Sequence, residues 1–485
     1  MNIMHSSRPS LLASLIPVGV LIFGLVTLIL IFGAEDIQSL GQPLLLVAAI
    51  ASVAISVIFY RRTFRAFRIG IAKAAVQVLP TVPILLLIST VAATWMLSGV
   101  VPTLICYGLD MLNPTLFLFT TCTVCALISV LSGSSWTTIA TVGLAFMGIG
   151  TLWDYHPGWI AGAIISGAYF GDKVSPLSDT TVLASSTCGV RLFPHIRYMM
   201  ITTIPALILA LIVFTAVGIF HSGDSSEQSS GMVDALHATF NITPWCLLIP
   251  LITIIILALR AGTKLTLMAS TLLGIAGIFL FQPDILAKLE GTQATSALTH
   301  ISAIGRLLVT STELPTGHEQ LDALVATGGM QGMLPTIALI LCAMCFGGAM
   351  MGSGMLFTIT HAVTSRLSKT RNIVISTVVT GLMLNSCTGD QYLSIILNGN
   401  LYRNLYRRRG LDPRLLSRSI EDSTSVTSVL IPWNSCGLTQ SAVLGVATLT
   451  YLPCCIFNIA SPLITILVAS IGFRIRPVSY TGATA

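Results

Sequence analysis

Three stretches of this chain run for 25, 43 and 37 residues without a single charged side chain: Ser10–Ala34, Met111–Trp153 and Gly437–Phe473. A bilayer-spanning helix needs only about 20 apolar residues, so runs of this length dictate a polytopic membrane protein. Composition agrees, with 54% hydrophobic and 9% charged residues, against the roughly 25% charged expected of a soluble domain. The first run is too long for a signal-peptide core and no A-x-A site lies close after it, so it reads as a retained first helix.

The net charge of +6 is not a nucleic-acid signal, because 14 of the 24 Lys and Arg residues fall in Arg61–Lys73, Arg366–Arg371 and Arg403–Arg418, beside apolar segments. Such clusters mark cytoplasmic loops. Counting spans from them places both termini inside and the acidic Glu35–Asp36 loop outside. The run 111–153 is long enough for two helices, and Ser132-Gly133-Ser134-Ser135 lies near its middle. It reads as a hairpin entering from outside, with irregular backbone tolerated because protein or a water-filled cavity surrounds it. Residues 372–402, interrupted at Thr388-Gly389-Asp390 and bracketed by basic residues, read as a hairpin entering from inside. The run 437–473 is expected to lie partly along the surface before crossing back.

These segments repeat. Leu79-Pro80-Thr81 recurs as Leu334-Pro335-Thr336, and Met96-x-Ser98-Gly99 as Met351-x-Ser353-Gly354, both at an offset of 255. The tips correspond at 256, and matching Asp172, Ser175, Ser178 and Ser185 to Asp422, Ser425, Ser428 and Ser435 gives an offset of 250. The opposite entry sides of the hairpins make the repeats inverted, as in secondary transporters with a midplane site. The fold class is therefore an all-α polytopic membrane protein with two inverted repeats, re-entrant helical hairpins and discontinuous transmembrane helices. Its divisions are N-terminal helices 1–70; a first repeat 71–220 with hairpin 113–150 and broken helix 158–187; a connecting loop and helix pair 221–330; a second repeat 331–475 with hairpin 372–402 and broken helix 419–436; and a cytoplasmic tail 476–485.

The stretch GAYFGDKVSPLSDTTVLASS, Gly167–Ser186, concentrates polarity between apolar segments. An intramembrane carboxylate costs about 2.5–3.5 kcal/mol on insertion scales and needs a cavity or partner. Asp172, Asp179, Asp390, Glu421 and Asp422 all fall in the interrupted segments. Hard cations take oxygen ligands, which carboxylates, hydroxyls and freed carbonyls supply. Pro176 is expected to open the helix and release carbonyls near 171–175. Desolvation disfavours a carboxylate anion and a bound cation restores it, so one site holds a cation or a proton in competition. Lys173 is expected to neutralise Asp172, the alternative being to attract a substrate carboxylate, while Glu421 either pairs with Arg418 or binds. The absence of a Walker A sequence weighs against a primary pump, and Cys122 and Cys125 read as apolar filling. No Ser–His or metal constellation suggests an enzyme.

SVLSGSSWTTIATVG (129–143), GAYFGDKVSPLSDTTVLASS and WNSCG (433–437) resemble the NhaC family of Na⁺/H⁺ antiporters, of the ion transporter superfamily, over about residues 70–475. The resemblance implies a mobile transport domain on a dimerising scaffold, elevator-like alternating access, Na⁺ as the transported ion and no cofactor. Carried over by position, it implies a cation and proton site of Ser132, Gly133, Ser134, Asp172, Ser175 and Asp179, to which Ser178 and Thr180 of the same stretch are added. A second, pseudo-symmetric site for a cation or substrate would combine Thr388, Gly389, Asp390, Asp422 and Ser425; in the repeat alignment Asp179 faces Val429 and Ser134 faces Asp390. The expected function is Na⁺/H⁺ antiport in a bacterial inner membrane by a homodimer. The alternative is Na⁺- or H⁺-coupled transport of a small carboxylate, of malate/lactate type, or of an amino acid.

Overall fold

The computed structural model describes residues 9–33, 37–221, 226–259, 261–285, 297–312, 322, 325–364 and 369–475. The Glu35–Asp36 loop, Arg260, Arg366 and the tail from Arg476 lie outside them. The described chain is helical, with one isolated bridge between Thr312 and Thr327. Seven helices are long and apolar enough to cross a membrane, and three bent pairs raise the number to ten among the described residues.

Helices α1 (Leu11–Phe32), α2 (Ile37–Tyr60) and α3 (Phe64–Val78) precede α4 (Val82–Leu97) and α5 (Val100–Met111), which meet at 66°. The first hairpin is α6 (Phe117–Ser132) and α7 (Ser135–Leu152), the latter containing a π-helical turn at Ile139–Gly143. Next come α8 (Pro157–Val174), α9 (Asp179–Cys188), α10 (Leu192–Phe220), α11 (Ser226–Thr239), α12 (Leu248–Ala258), α13 (Thr263–Phe281) and α14 (Ala297–Val309). The rest comprises α15 (Leu334–Ser353), α16 (Met355–Thr364), the second hairpin α17 (Thr370–Thr388) and α18 (Gln391–Arg408), then α19 (Pro413–Ile420), α20 (Ser435–Leu444) and α21 (Ile456–Ile471).

Both hairpins turn by the same chemistry. Gly133 and Gly389 sit at φ +67° and +68°, the left-handed conformation that ends a helix without a Cβ penalty. Ser134 and Asp390 then cap the next helix, accepting from the amides of Thr137 (3.2 Å) and Leu393 (2.7 Å). The Ser132 hydroxyl accepts from the Ser134 amide at 3.1 Å, and Thr388 accepts from the Asp390 amide at 3.2 Å. Ser132 and Thr138 share a hydroxyl contact, as do Thr388 and Ser394. The M-x-S-G motifs likewise end at Gly99 and Gly354, both at φ +78°.

The second broken helix departs from the expected register. Ser178 caps α9 and Asn434 caps α20, an offset of 256, which also aligns Pro176 with Pro432. This offset continues that of the hairpins, so the 250 match of Asp172 to Asp422 does not describe the chain's geometry. The residues before the second break form a π-helical turn, Glu421–Ser425, and a short 3-10 turn, Ser428–Leu430. A further correction concerns 437–473. Its first part belongs to α20, which is buried along most of its length.

Close backbone approach holds α8 against α6. A Cβ on Gly167 would lie 2.1 Å from the Cys122 carbonyl oxygen, and one on Gly171 2.4 Å from that of Ala126. Glycines four apart form one small-residue face, the device by which membrane helices pack where no hydrophobic drive exists. Cys122 and Cys125 are buried on this face of α6. Elsewhere α15 lies on α2 and α3, α10 on α21, and α9 on α18, which joins the first broken helix to the second hairpin.

A carboxylate cavity between two hairpin tips

The break at 175–178 leaves α8 just after Asp172 and Lys173, and their side chains part company there. Asp172 Oδ2 accepts from the Ser135 hydroxyl at 2.7 Å and from the Ser135 amide at 3.2 Å. The carboxylate thus sits on the first turn of α7, where free amides and the helix dipole favour negative charge. Lys173 does not neutralise Asp172. It turns into the core, forms an ion pair with Asp422 Oδ1, and donates to Ser461 at 2.9 Å.

Asp172 faces a cavity of about 270 Å³. Of the expected site residues, Ser132, Gly133, Ser134, Asp172, Asp179 and Thr180 line it. Asp172 is half-buried and Asp179 exposed. The remaining wall comes from Trp136 and Leu177, from Gln391 and Tyr392 on the second hairpin, and from Thr81, Ile84, Leu257, Gly262 and Thr263. No Lys, Arg or His is among these residues.

Ser175 and Ser178 hold the break instead of lining the cavity. Ser175 donates to the Val130 carbonyl at 2.8 Å and accepts from the Leu177 amide at 3.2 Å, tying the break to α6. Ser178 accepts from the Thr181 amide and shares a 3.0 Å contact with Thr180. The expected free carbonyls at 171–173 have partners. Gly171 and Asp172 accept from the Ser175 amide at 3.0 and 3.3 Å, and Lys173 accepts from the Thr181 hydroxyl at 2.9 Å. The Ser175 carbonyl likewise accepts from the Ser178 amide at 3.3 Å, so of the five carbonyls expected free at 171–175, four carry at least one hydrogen bond.

The second grouping does not assemble as expected. Thr388, Gly389 and Asp390 shape their tip, and Ser425 reaches that hairpin by accepting from Gln391 Nε2 at 3.0 Å. Asp422 belongs to a separate, fully buried cluster, accepting from Lys173, Thr202 (2.7 Å), Ser461 (3.0 Å) and Thr465. The π turn rotates Asp422 away from the tip that Ser425 meets. Glu421 and Arg418 form no ion pair among the described residues, and the Arg418 guanidinium nitrogens have no hydrogen-bond partner.

Ser135, Gln391 and Tyr392 went unrecognised in the sequence. Ser135 was accessible by rule, because the first amide of a half-helix is an anion donor. Gln391 and Tyr392 reach the cavity only through the pairing of two distant segments.

The family described as the Na⁺/H⁺ antiporter family matches residues 167–473. The chain is 34% identical to the Na⁺/H⁺ antiporter NhaC of Alkalihalophilus pseudofirmus, over 81% of this chain and 82% of that one. It is 34% identical to the malate-2H⁺/Na⁺-lactate antiporter of Bacillus subtilis, over 77% of each. It is 30% identical to the arginine/ornithine antiporter ArcD of Halobacterium salinarum, over 96% of this chain and 93% of that one.

Proposed function

The chain belongs to the Na⁺/H⁺ antiporter family, and from that premise we propose that it exchanges Na⁺ for H⁺ at the cavity where Asp172 and Asp179 face both hairpins. One observation carries this reading: among the described residues the lining holds two carboxylates and no basic side chain. A cation or protons balance that charge, and the two are alternative occupants of the same oxygens. Asp172 is the principal ligand and proton acceptor, with Asp179 and Thr180 beside it.

In this reading residues 71–220 and 331–475 are inverted repeats, each contributing a hairpin and a broken helix to an element that moves by alternating access, elevator-like, against a dimeric scaffold. The basic clusters Arg61–Lys73 and Arg403–Arg418 set the orientation, with both termini on the cytoplasmic side of a bacterial inner membrane.

The cavity's size favours a second reading. At about 30 Å³ per water, 270 Å³ holds roughly nine waters, enough for a small organic solute. The relatives named for malate and lactate or for arginine and ornithine point the same way. Charge favours Na⁺ over a carboxylate substrate, which would meet two acids and, among the described residues, no base.

The test uses proteoliposomes with a lumenal pH dye. An external Na⁺ pulse is expected to raise lumenal pH, choline to leave it unchanged, and Asp172→Asn to abolish the response while the variant still purifies folded. Proton movement driven by malate, lactate or arginine, with none driven by Na⁺, would replace the first reading by the second.

A further inference from the structure

A second cavity, of about 940 Å³, lies where the first residues of α10, the start of α19 and the chain after α21 come together, and shares no lining residue with the Asp172 site. Its wall carries Arg197, Arg414 and Arg474 around Tyr198, with Asp412 as its acid. Arg414 already holds Asp412 through hydrogen bonds from Nε at 2.9 and 3.1 Å, so the wall keeps a surplus of two positive charges. Phe193, Pro194, Ile196 and Ile201 make the rest of the wall apolar, and Phe193 is 71% exposed.

We propose that this cleft binds the phosphate headgroup of an anionic membrane phospholipid. Arginine is the side chain suited to phosphate, because its planar fork gives two parallel donors. The apolar residues beside the arginines fit the glycerol and upper acyl region of a lipid, which free phosphate would leave unused. Basic pockets between membrane helices on the cytoplasmic side take such headgroups.

One further feature points to an anion here. Arg418 is fully buried, its three guanidinium nitrogens have no hydrogen-bond partner, and its Cζ lies 4.8 Å from the ring centre of Tyr198. A buried cation without a counter-charge is costly, and an anion in the cleft, on the other residues around the Tyr198 ring, would lower that cost although Arg418 itself does not line the cleft. Arg414 also stacks near that ring, at 5.4 Å. The chain after α21 is held at the cleft in an unfavourable conformation. Arg474 has φ +53°, and its carbonyl accepts from the Tyr198 hydroxyl at 3.1 Å.

Full-length protein in detergent is titrated separately with dioctanoyl phosphatidylglycerol, dioctanoyl phosphatidylcholine and sodium phosphate while thermal unfolding is followed. Phosphatidylglycerol is expected to raise the melting temperature saturably, the other two to have little effect, and Arg197→Gln or Arg474→Gln to remove at least half of the rise. Both arginines are exposed, so the variants are expected to fold. Native mass spectrometry of the unaltered protein reads the same preference without a substitution. Equal effects of phosphatidylcholine and phosphatidylglycerol, or an undiminished rise in both variants, would overturn the site. Sodium phosphate matching phosphatidylglycerol would overturn its assignment to lipid.

Discussion

Lys173 and Asp422 form an ion pair buried from solvent on both sides, at 1% and 0% exposure, and it joins the end of α8 to the π turn before the second break. The residue before Lys173 is the carboxylate of the cavity. The two broken helices are therefore fastened one residue away from the proposed site of exchange, by a contact that also takes in Ser461, Thr202 and Thr465.

Removing one member strands the other. Lys173→Met is expected to cost about 3–5 kcal/mol, the usual consequence of a lone buried charge. The double variant Lys173→Met/Asp422→Leu should recover more than half of that loss, because no uncompensated charge remains. Thermal unfolding of both variants in detergent checks this. Additive losses would mean that the pair is not the interaction that matters.

Ser135 donates twice to Asp172, and both bonds favour the charged form of the carboxylate. In Ser135→Ala the hydroxyl bond is gone and the anion is less favoured relative to the acid. A hydrogen bond to a charged group is worth about 1.5–3 kcal/mol. Na⁺-driven transport should therefore rise with pH as before but at a more alkaline midpoint. A profile superimposable on the parent's would remove Ser135 from the site.

Much of this was legible in the sequence, and the misses share a cause. Hairpins were visible because Gly133 and Gly389, each followed by a capping residue, interrupt otherwise apolar runs. The cavity residues of the first repeat were visible because carboxylates in lipid demand a reason. The register of the second broken helix was not. Matching Ser and Asp identities aligned Asp422 with Asp172, whereas the backbone is set by Pro176, Pro432 and the caps that follow them. The partners of Lys173 and the arrival of Gln391 at the cavity depend on contacts across some 200 residues or more, for which local pattern carries no signal.

The two tip glycines should differ in tolerance. A Cβ on Gly133 would lie 2.6 Å from the Leu177 Cβ and 2.7 Å from its carbonyl carbon, so Gly133→Ala must push the break away from the tip. At Gly389 the nearest atoms are side-chain carbons at 3.2 and 3.3 Å, and the substitution bears mainly the left-handed backbone cost of about 1–2 kcal/mol. Transport should fall by about a hundredfold in Gly133→Ala, as for a misplaced reacting group. In Gly389→Ala it should stay within several-fold of the parent, with a lower melting temperature. Equal transport losses in the two would contradict the difference in space.

If Na⁺ and H⁺ occupy the same oxygens, acid must weaken Na⁺ by competition alone. Protonation removes the ligand's charge, so the apparent KM for Na⁺ should rise as pH falls while the maximal rate at saturating Na⁺ holds. With one proton displaced per Na⁺ the rise is about tenfold per pH unit below the midpoint, and with both Asp172 and Asp179 protonated it steepens toward a hundredfold. Asp179→Asn then distinguishes the roles. A slope reduced to about one makes Asp179 the second proton acceptor. An unchanged slope with a uniformly higher KM makes it an electrostatic attractor at the rim, in keeping with its exposure. Measurement of initial Na⁺ uptake across a pH series, in the parent and this variant, reads the slope directly. A KM independent of pH with a falling maximal rate would show that the proton travels elsewhere, and the shared-site reading would fail.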